Sequence, residues 1–401
     1  MTTQDERIAA IVAHAYEHAP AFRQLMEEAA LQPADVHSFE ALARVPITTK
    51  DALVQMQQQS PPFGGWLAVP MHELRRVYVS PGPLYDPHGR ADDDVIAAAV
   101  QAFQAGGLRA EDVVVNAFMY HMVPAGLWID EALERLGATV IPLGPGNTEL
   151  QIKVMRDLGA TAYVGTPSFL AVIYDKAAEL GLAADALPLR KAYFTAEPYP
   201  PSLRARFEGE CGLQTAQAYG TADLGLVAYE QAETEGMVVA DNLVVEIADP
   251  QSGERLPFGE VGEVVVTTFN RAYPLIRFGT GDLGVMAPNP TRIMALVGRS
   301  GEAVKVRGMF LHPNQLRFVA GALPQVRAMG AVVSREGGRD ILTLEVELEA
   351  EHADAADEAL AAQLQQIVRE KGRLRADAVT FVAAGTFSAN RPLIRDTRTW
   401  D

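Results

Sequence analysis

The sequence contains a single cysteine, Cys211, among its 401 residues. One thiol cannot form an intramolecular disulfide, and a metal site built from several cysteines is likewise excluded. No run of 18 or more apolar residues occurs, which is the length that a membrane-spanning helix needs. The amino terminus is polar and acidic and lacks the apolar core of a signal peptide. We therefore expect a soluble, cytoplasmic protein.

Basic residues are also scarce. The chain has 34 Lys and Arg residues against 51 Asp and Glu residues, a formal net charge of −17. This charge argues against nucleic acid or a membrane as a partner, because nucleic acids and anionic membranes bind basic surfaces. With 48% hydrophobic and 21% charged residues, the composition is that of a globular protein and not of a disordered one. A chain of this length buries a large core and normally divides into two or more domains.

The periodicity along the chain predicts two kinds of domain. Helical spacing over residues 6–30 predicts a pair of short helices. Over residues 112–165 short apolar runs alternate with helical stretches, which indicates βαβ units and a parallel sheet. Over residues 243–269 two apolar runs are separated by turn-forming residues, which is typical of antiparallel strands. After Arg307 a smaller unit follows with its own strand and helix patterns, which indicates a separate α+β domain.

Several short motifs follow one another along the chain. In order they are Pro46–Asp51, Arg135–Pro142, Gly146–Gln151, Thr166–Phe169, Ala196–Tyr199, Tyr219–Gly220, Tyr273–Leu283, Gly298–Arg299 and Lys305–Gly308. In this order they resemble the phenylacetate–CoA ligase branch of the adenylate-forming superfamily, and the resemblance runs nearly end to end. Several independent motifs in one order are far more specific than any single motif.

The resemblance implies an adenylate-forming α/β fold, with a large AMP-binding domain over residues 1–300 and a small, mobile C-terminal α+β lid over residues 301–401. It also implies an ATP-dependent carboxylate–CoA ligase for an aryl or related organic acid. Such an enzyme forms acyl-AMP and pyrophosphate and then passes the acyl group to coenzyme A. ATP, Mg²⁺, coenzyme A and a small carboxylic acid are the expected ligands, and a homodimer is a possible assembly.

The same resemblance implies where the adenosine end of the nucleotide binds. Asp282 would accept hydrogen bonds from both ribose hydroxyls, which suits a side chain with two acceptor oxygens. The donor-rich arginines suit a ribose or a phosphate at the domain boundary, and they are Arg277, Arg299 and Arg307. Adenine would be held by an aromatic face, by a glycine that allows close approach and by nearby backbone groups. These residues are Ala196, Glu197, Pro198, Tyr219 and Gly220.

The segment that would bind the triphosphate departs from the family pattern. Relatives carry a loop rich in Ser, Thr and Gly whose amides and hydroxyls bind phosphates. In Val79–Pro87 three residues fit this pattern, namely Ser80, Gly82 and Pro87. Pro81 and Pro83 cannot donate an N–H, and Asp86 adds negative charge. Losing three charge-assisted hydrogen bonds of about 1.5–3 kcal/mol each would weaken binding by several orders of magnitude, so the segment looks damaged for triphosphate binding.

Two positions that imply catalysis are also altered. Ala222 and Asp223 occupy the place of a Ser/Thr-Glu pair, where Thr221 could supply the missing hydroxyl and Asp223 could still hold Mg²⁺. A helix-capping Thr-x-Asp is the alternative interpretation. Arg391 stands at the position of the lysine that stabilises the acyl adenylate; it keeps the charge but is bulkier.

The C-terminal motifs imply a movement of the lid. The acidic hinge residue of the family would fall at Gly301–Glu302, and glycine there permits rotation of the C-terminal domain. Arg307 and Gly308 would then face the thiol side of the site in the second conformation. Such a motion would let one enzyme exchange adenylation for thioester formation.

Some side chains leave two interpretations open. His121 either lies between the acyl pocket and the nucleotide or is a partly buried structural histidine. Five neighbouring residues either line an acyl pocket or belong to the core, and they are Phe118, Met119, Tyr120, Met122 and Trp128. Relatives carry a Cys/His metal site in the linker after Tyr-Gly. Glu230–Gln231 lacks that thiol, so we predict no structural zinc.

Two further functions stay open. A catalytically impaired relative would bind AMP, an acyl-CoA or an aromatic acid as a sensor or partner protein, which the altered phosphate segment and the missing lysine favour. Adenylation with a non-CoA acceptor, such as an amine or a carrier protein, is the other. We predict the ligase, because five polar residues could still assemble a working site. They are Ser80, Asp223, Asp282, Arg299 and Arg391.

Overall fold

The computed structural model describes residues 3–80, 83–92, 94–250, 252–288, 291–299, 304–307, 309–311, 313–372, 374–388 and 391–398. The chain divides into two compact units, Met1–Ser300 and Gly301–Asp401. Each unit has an apolar core of its own. Among the described residues, no helix is both long enough and apolar enough to cross a membrane.

Helices of the N-terminal unit begin at residues that favour a helix start. The side chains of Thr3, Ser38, Thr49 and Thr166 each accept a backbone N–H of the first turn. Three helices also carry proline in that turn. The bounds are α1 Gln4–His18, α2 Pro20–Glu28, α3 Phe39–Leu42, α4 Lys50–Gln59, α5 Asp94–Ala105, α6 Ala125–Leu136, α7 Thr148–Leu158, α8 Pro167–Glu179 and α9 Pro201–Arg204.

The strands of this unit form one large sheet and a separate hairpin. Their bounds are β1 Thr48–Thr49, β2 Leu74–Ser80, β3 Leu84–Gly89, β4 Val113–Asn116, β5 Thr139–Ile141, β6 Ala162–Gly165, β7 Lys191–Phe194, β8 Gln214–Thr221, β9 Gly225–Glu230, β10 Met237–Val239, β11 Leu243–Ala248, β12 Val261–Thr268, β13 Phe278–Met286 and β14 Arg292–Arg299. The large sheet has the order β11-β12-β13-β14-β10-β9-β8-β7-β6-β4-β5, and β1 pairs with β13. The hairpin consists of β2 and β3.

The parallel part of the large sheet is buried on both faces. Strands β8, β7, β6, β4 and β5 run parallel. Adjacent residues in one strand enter different cores: Val115 packs with residues of α7 and α8, whereas Val114 packs with residues of α5 and α6. This alternation follows from the two-residue period of a strand. Helices therefore cover both faces, as in other parallel sheets.

The remaining strands pair in antiparallel fashion. Strand β8 pairs with β9 in this way, so β8 is the strand at which the sheet changes from parallel to antiparallel. Strands β11, β12, β13 and β14 follow as an antiparallel meander. The core beneath them includes residues of α1, α2 and α4, which places the amino-terminal helices against this half of the sheet.

The C-terminal unit is a small α+β domain. Its four-stranded sheet has the order β19-β18-β17-β20, and β15 pairs with β16 separately. Two helices contribute apolar residues to its core, among them Leu316 and Leu364. The bounds are β15 Val304–Val306, β16 Met309–Leu311, α10 Pro313–Gly321, β17 Val326–Glu336, β18 Arg339–Leu348, α11 Glu358–Gly372, β19 Ala378–Val382 and β20 Ile394–Asp396.

The fold class expected from the sequence is confirmed, and so are the early helix pair, the parallel units over residues 112–165 and the antiparallel strands over 243–269. The hairpin of β2 and β3 was not anticipated. Val79–Pro87, expected as a phosphate-binding loop, contributes most of its described residues to these two strands. The amides that pair across this hairpin are already used as donors and do not bind a ligand.

Candidate functional site

The candidate site lies at the carboxyl ends of β7 and β8. These strands are parallel neighbours, so the residues that follow them meet at one edge of the sheet. Ala196–Pro198 follows β7, and Tyr219–Thr221 ends β8. The edge coincides with the change from parallel to antiparallel pairing. In open α/β sheets, ligands bind in the crevice outside the carboxyl ends of the strands.

Tyr219 and Asp282 form the polar centre of this edge. The Tyr219 hydroxyl donates to Oδ2 of Asp282 over 2.8 Å. Burial raises the pKa of Tyr219 well above its ordinary value, and the nearby negative charge of Asp282 adds to the effect. The hydroxyl therefore stays protonated and acts as a donor. Asp282 is paired in register with Arg299 on β14, whose Nε lies 3.0 Å from Oδ1. The structure brings these three predicted residues together.

The turn after β7 is held in an unusual backbone conformation. Ala196 has a φ of 78°, in the left-handed region that a residue with a Cβ seldom adopts. Glu197 accepts the backbone N–H of Ser168 in the first turn of α8, at 2.6 Å. The carboxylate of Glu197 thus stabilises a helix start. Residues 196–198 form this turn, and their backbone lies at the same edge of the sheet as Tyr219.

Gly220 and Thr221 shape the tight connection between β8 and β9. A Cβ at Gly220 would lie 2.6 Å from the carbonyl oxygen of Gly225, so only glycine fits there. Thr221 Oγ1 accepts the N–H of Leu224 over 3.2 Å and closes the turn. Asp223 lies within this turn between two strands. The helix-capping interpretation of Thr221 and Asp223 is therefore wrong.

Lys50 lies beside Asp223. Thr49 caps α4, and this sets Lys50 at the first position of the helix. Its Nζ lies 2.9 Å from Oδ2 of Asp223, whose side chain is only 4% exposed. The other oxygen of Asp223, Oδ1, is buried without a hydrogen-bond partner among the described residues. At the position expected for a metal ligand, one carboxylate oxygen thus has a cationic partner and the other has no hydrogen-bond partner among the described residues.

The hairpin of β2 and β3 brings further polar groups to this region. Ser80 ends β2 and Asp86 lies on β3, and both side chains are buried. Burial raises the pKa of Asp86 well above its ordinary value; the charge of Asp223 adds to the shift and that of Lys50 opposes it. Gln57 on α4 fixes the hairpin, because its amide bonds both the N–H and the C=O of Tyr85.

A cavity of about 90 Å³ opens beside these residues. Asp86, Asp223, Asn242 and Trp128 are among the side chains that line it. Trp128 packs edge-on against Tyr78, with ring centroids 5.6 Å apart. The cavity thus has acidic groups on one part of its wall and an aromatic ring on another.

Arg277 does not belong to the candidate site. Its side chain is 2% exposed and pairs with the buried carboxylate of Glu246, with Nε 3.2 Å from Oε2. Its remaining N–H groups donate to the carbonyl oxygens of Ala43, Val45 and Gly253. The expectation that Arg277 binds ribose or phosphate is wrong, because every donor nitrogen already has a partner inside the protein.

The predicted residues of the C-terminal unit make contacts within that unit. Arg307 donates to Asp377 over 3.2 Å and also to the carbonyl oxygen of Arg375. Arg391 Nη2 lies 2.6 Å from Oε2 of Glu345. Its guanidinium also sits over the ring of Phe387, 5.1 Å from the centroid. The roles predicted for both arginines stay predictions.

Other predicted positions have mixed outcomes. Gly82, Gly308 and the hinge at Gly301–Glu302 lie outside the described residues. His121 is exposed, so the alternative of a partly buried histidine is wrong. Tyr120 is half-buried and donates to Asp130 over 2.6 Å.

Sequence reasoning missed Lys50 and Asp86 as partners in one cluster. Lys50 stood within the motif Pro46–Asp51, and Asp86 was interpreted only as damage. The charges of the two side chains were the signal that could have identified the pair. A lysine directly after a helix cap and an aspartate in the phosphate segment do not contribute to an apolar core, so each needs a polar partner. Both residues are far from Asp223 in the sequence, so the sequence alone does not reveal that they lie near it.

Comparison with known proteins places this site in context. A model of the family described as AMP-binding enzyme matches residues 93–271. The chain is 33% identical over 386 residues to phenylacetate-coenzyme A ligase of Aromatoleum evansii, covering 91% of this chain and 86% of that one. It is 31% identical over 363 residues to the protein of the same name from Thermus thermophilus, covering 86% and 80%. The solved structure of 2-hydroxyisobutyryl-CoA ligase in complex with 2-HIB-AMP and CoA aligns with a TM-score of 0.89 and 26% identity, over 98% of this chain and 89% of that one.

Proposed function

This chain belongs to the phenylacetate–coenzyme A ligase family, and on that premise we propose that Tyr219, Asp282 and Arg299 form its adenosine site. The activity is the ATP-dependent ligation of a carboxylic acid to coenzyme A. The carboxylate attacks the α-phosphate of ATP and releases pyrophosphate, and the thiol then displaces AMP from the acyl adenylate. The observation that carries the site assignment is the 2.8 Å hydrogen bond between Tyr219 and Asp282 at the carboxyl edge of the sheet.

Asp282 is the ribose ligand in this proposal. Each of its oxygens already accepts one hydrogen bond from the protein, from Tyr219 and from Arg299 respectively. A carboxylate has about four lone-pair sites, so one remains on each oxygen for a ribose hydroxyl. The two protein donors fix the carboxylate in place before the nucleotide binds, which lowers the entropic cost of binding.

Adenine is assigned to the neighbouring turn. Tyr219 supplies an aromatic face, and Gly220 allows close approach of the base. Ala196, Glu197 and Pro198 contribute backbone groups, because the Glu197 carboxylate is already engaged with α8. The strained φ of Ala196 supports a functional role for this turn, since strain of this kind concentrates at ligand sites.

Mg²⁺ is assigned to Asp223. The fit is good, because a buried carboxylate oxygen without a partner among the described residues is the kind of donor that Mg²⁺ takes. Bound there, Mg²⁺ would neutralise charge on the phosphate oxygens. Thr221 holds the turn that presents Asp223, and Ser80 offers a buried hydroxyl at the end of β2. Lys50 adds a cation next to Asp223 and supports phosphate binding.

The C-terminal unit, residues 301–401, acts as the mobile lid in this proposal. Arg391 would stabilise charge on the acyl phosphate, as a preorganised cation does in other enzymes. Arg307 and Gly308 would face the thiol side during thioester formation. Glu345 holds Arg391 in one orientation and so supports its positioning.

The acid is proposed to be an aryl or related organic acid. The names of the curated relatives, which are ligases of phenylacetate, support an aryl acid. The related solved structure carries a small hydroxy acid as its adenylate, which supports a wider range. Trp128 beside the cavity supplies an aromatic surface for an acyl group.

Calorimetric titration with AMP and with ATP·Mg²⁺, followed by pyrophosphate release from a panel of carboxylic acids, tests this function. We expect both nucleotides to bind and one aryl acid to give turnover that requires coenzyme A. AMP binding without ATP binding would favour the impaired sensor instead. Turnover that needs an amine or a carrier protein would identify a different acceptor.

A homodimer and a cytoplasmic location complete the proposal, and both are supported by the family resemblance. Light scattering coupled to size-exclusion chromatography measures the first. A mass near twice 43.3 kDa is expected. Fractionation of cells that make the protein measures the second.

A further inference from the structure

Three side chains that line one cavity in the N-terminal unit each carry a buried oxygen without a partner among the described residues. Asp86, Asp223 and Asn242 all line it. Among the described residues, Oδ2 of Asp86, Oδ1 of Asp223 and Oδ1 of Asn242 are buried and lack a hydrogen-bond partner. Asp86 and Asn242 are only 6% and 7% exposed. Buried polar atoms almost always have partners, so three unsatisfied acceptors on one cavity point to a ligand.

The charges around the cavity indicate a cation. Four aspartates line the cavity, namely Asp86, Asp92, Asp94 and Asp223, against one lining arginine, Arg271. Lys50 offers a further positive charge, which is directed to Oδ2 of Asp223. A second buried carboxylate without a counter-ion is costly. An additional cation would compensate it. The available donors are carboxylate and amide oxygens, which suit hard divalent ions such as Mg²⁺ and Mn²⁺ and not zinc.

We propose that Asp86 and Asp223 together bind a divalent cation in the nucleotide-free protein, with Asp86 as a ligand in its own right. Among the described residues, no three His, Cys, Asp or Glu side chains come together as a metal site. In this proposal the two carboxylates are the charged ligands, and the Asn242 amide and water complete the shell. Magnesium sites commonly keep several waters in this way.

The inference gives Asp86 a use in the proposed function, on which this step rests. The phosphate segment has lost amide donors at Pro81 and Pro83. A cation held by Asp86 beside that segment would supply positive charge to the phosphates in place of those donors. Asp86, which adds an unfavourable negative charge to the phosphate segment in the sequence, would then be the group that restores phosphate binding.

Lys50 is a competitor of the cation. Its ammonium lies 2.9 Å from Oδ2 of Asp223, so a metal ion that binds the same carboxylate is repelled by this positive charge. Removing the ammonium while keeping the apolar stem should therefore strengthen cation binding. Removing the Asp86 charge should weaken it. The two substitutions thus shift the affinity in opposite directions.

Mn²⁺ titration of the full, nucleotide-free chain tests the proposal, with free Mn²⁺ followed by its electron paramagnetic resonance signal. Asp86→Asn and Lys50→Met are the test variants. Asp94→Asn is the matched control, because Asp94 lines the same cavity but its side chain is 68% exposed. All variants are first compared by thermal unfolding, and Asp223→Asn serves as a second test of the site if Asp86→Asn is poorly folded.

The wild type should bind about one Mn²⁺ per chain. Asp86→Asn should weaken that binding by at least about tenfold, as loss of a metal ligand does. Lys50→Met should tighten it, and Asp94→Asn should leave it within about twofold, since exposed charges contribute little. Absence of binding at millimolar Mn²⁺, or equal affinity in the wild type and both carboxamide variants at Asp86 and Asp223, overturns the proposal.

Failure of the proposed function would look different. Mn²⁺ binding that depends on Asp86, in a protein that releases no pyrophosphate with any acid, would leave the cation site standing and refute the ligase. Ligase turnover without nucleotide-free Mn²⁺ binding would do the reverse.

Discussion

Tyr219 donates its hydroxyl to Asp282 although their strands are not neighbours in the sheet. Between β8 and β13 lie β9, β10 and β14, so a flat sheet would separate the two strands by about 19 Å. The observed contact of 2.8 Å requires the antiparallel part of the sheet to curl back on itself. The curl is what brings residues 219 and 282 to one edge.

Replacing Asp282 with alanine should weaken AMP binding. The variant loses two acceptor oxygens, and each hydrogen bond to a charged group contributes about 1.5–3 kcal/mol, so the loss should be about 100-fold or more. Tyr219→Phe keeps the carboxylate and the ring face and should weaken binding much less. Calorimetric titration with AMP measures both. Unchanged affinity in Asp282→Ala would mean that the adenosine site lies elsewhere.

Replacing Arg391 with alanine should slow formation of the acyl adenylate. Loss of a preorganised cation near developing charge typically lowers the rate by about 10²–10³. Arg395 is a matched control, since it pairs with the same Glu345 at 2.7 Å. Pyrophosphate release at saturating ATP measures the step. If Arg395→Ala slows it as much as Arg391→Ala, the effect reflects the sheet around Glu345 and not a catalytic arginine.

Replacing Arg277 with methionine should destabilise the N-terminal unit. The change leaves the buried Glu246 without one of its partners and frees three backbone carbonyls. Breaking a buried ion pair of this kind costs about 3–5 kcal/mol of unfolding free energy. Urea unfolding measures it. The double variant with Glu246→Gln should recover part of the loss, and a cost below about 1 kcal/mol in Arg277→Met would contradict the structural role.

Glu263 should make stability depend on pH. Burial raises its pKa above the ordinary value, with an opposing contribution from the Gly281 N–H and a smaller one from the charge of Asp282 in the same direction as burial. The folded state therefore binds the proton more tightly than the unfolded chain. Its ionisation costs stability as pH rises through the folded pKa, and protonation restores that stability as pH falls.

Glu263→Gln tests this relation. The amide oxygen can still accept the Gly281 N–H, which lies 2.9 Å from Oε1 in the wild type. We expect the variant to unfold at a higher temperature than the wild type near pH 8. The difference should shrink as the pH approaches 4. A difference that stays constant across this range would show that the ionisation of Glu263 does not matter.

Local patterns predicted most elements of the fold, and they singled out three residues that the structure brings together. The strands over residues 112–165 were readable because they alternate with helices, and Tyr219, Asp282 and Arg299 were readable because their motifs are short and ordered. The hairpin of β2 and β3 was not, since its prolines and aspartate suggested a loop. Arg277 was misassigned because its partners, Glu246 and the carbonyls near residue 44, are distant in sequence and only packing reveals them.

Arg277 also contacts residues that lie outside the range matched by the family model. It lies just beyond the matched range 93–271, and two of the carbonyls that it binds belong to Ala43 and Val45, far before that range. The range matched by the family model therefore leaves out contacts that Arg277 makes in the core. A fragment cut to those limits would lose the arginine, the carbonyls and the amino-terminal helices together. The limits of the family match and the limits of the packed core therefore differ in this protein.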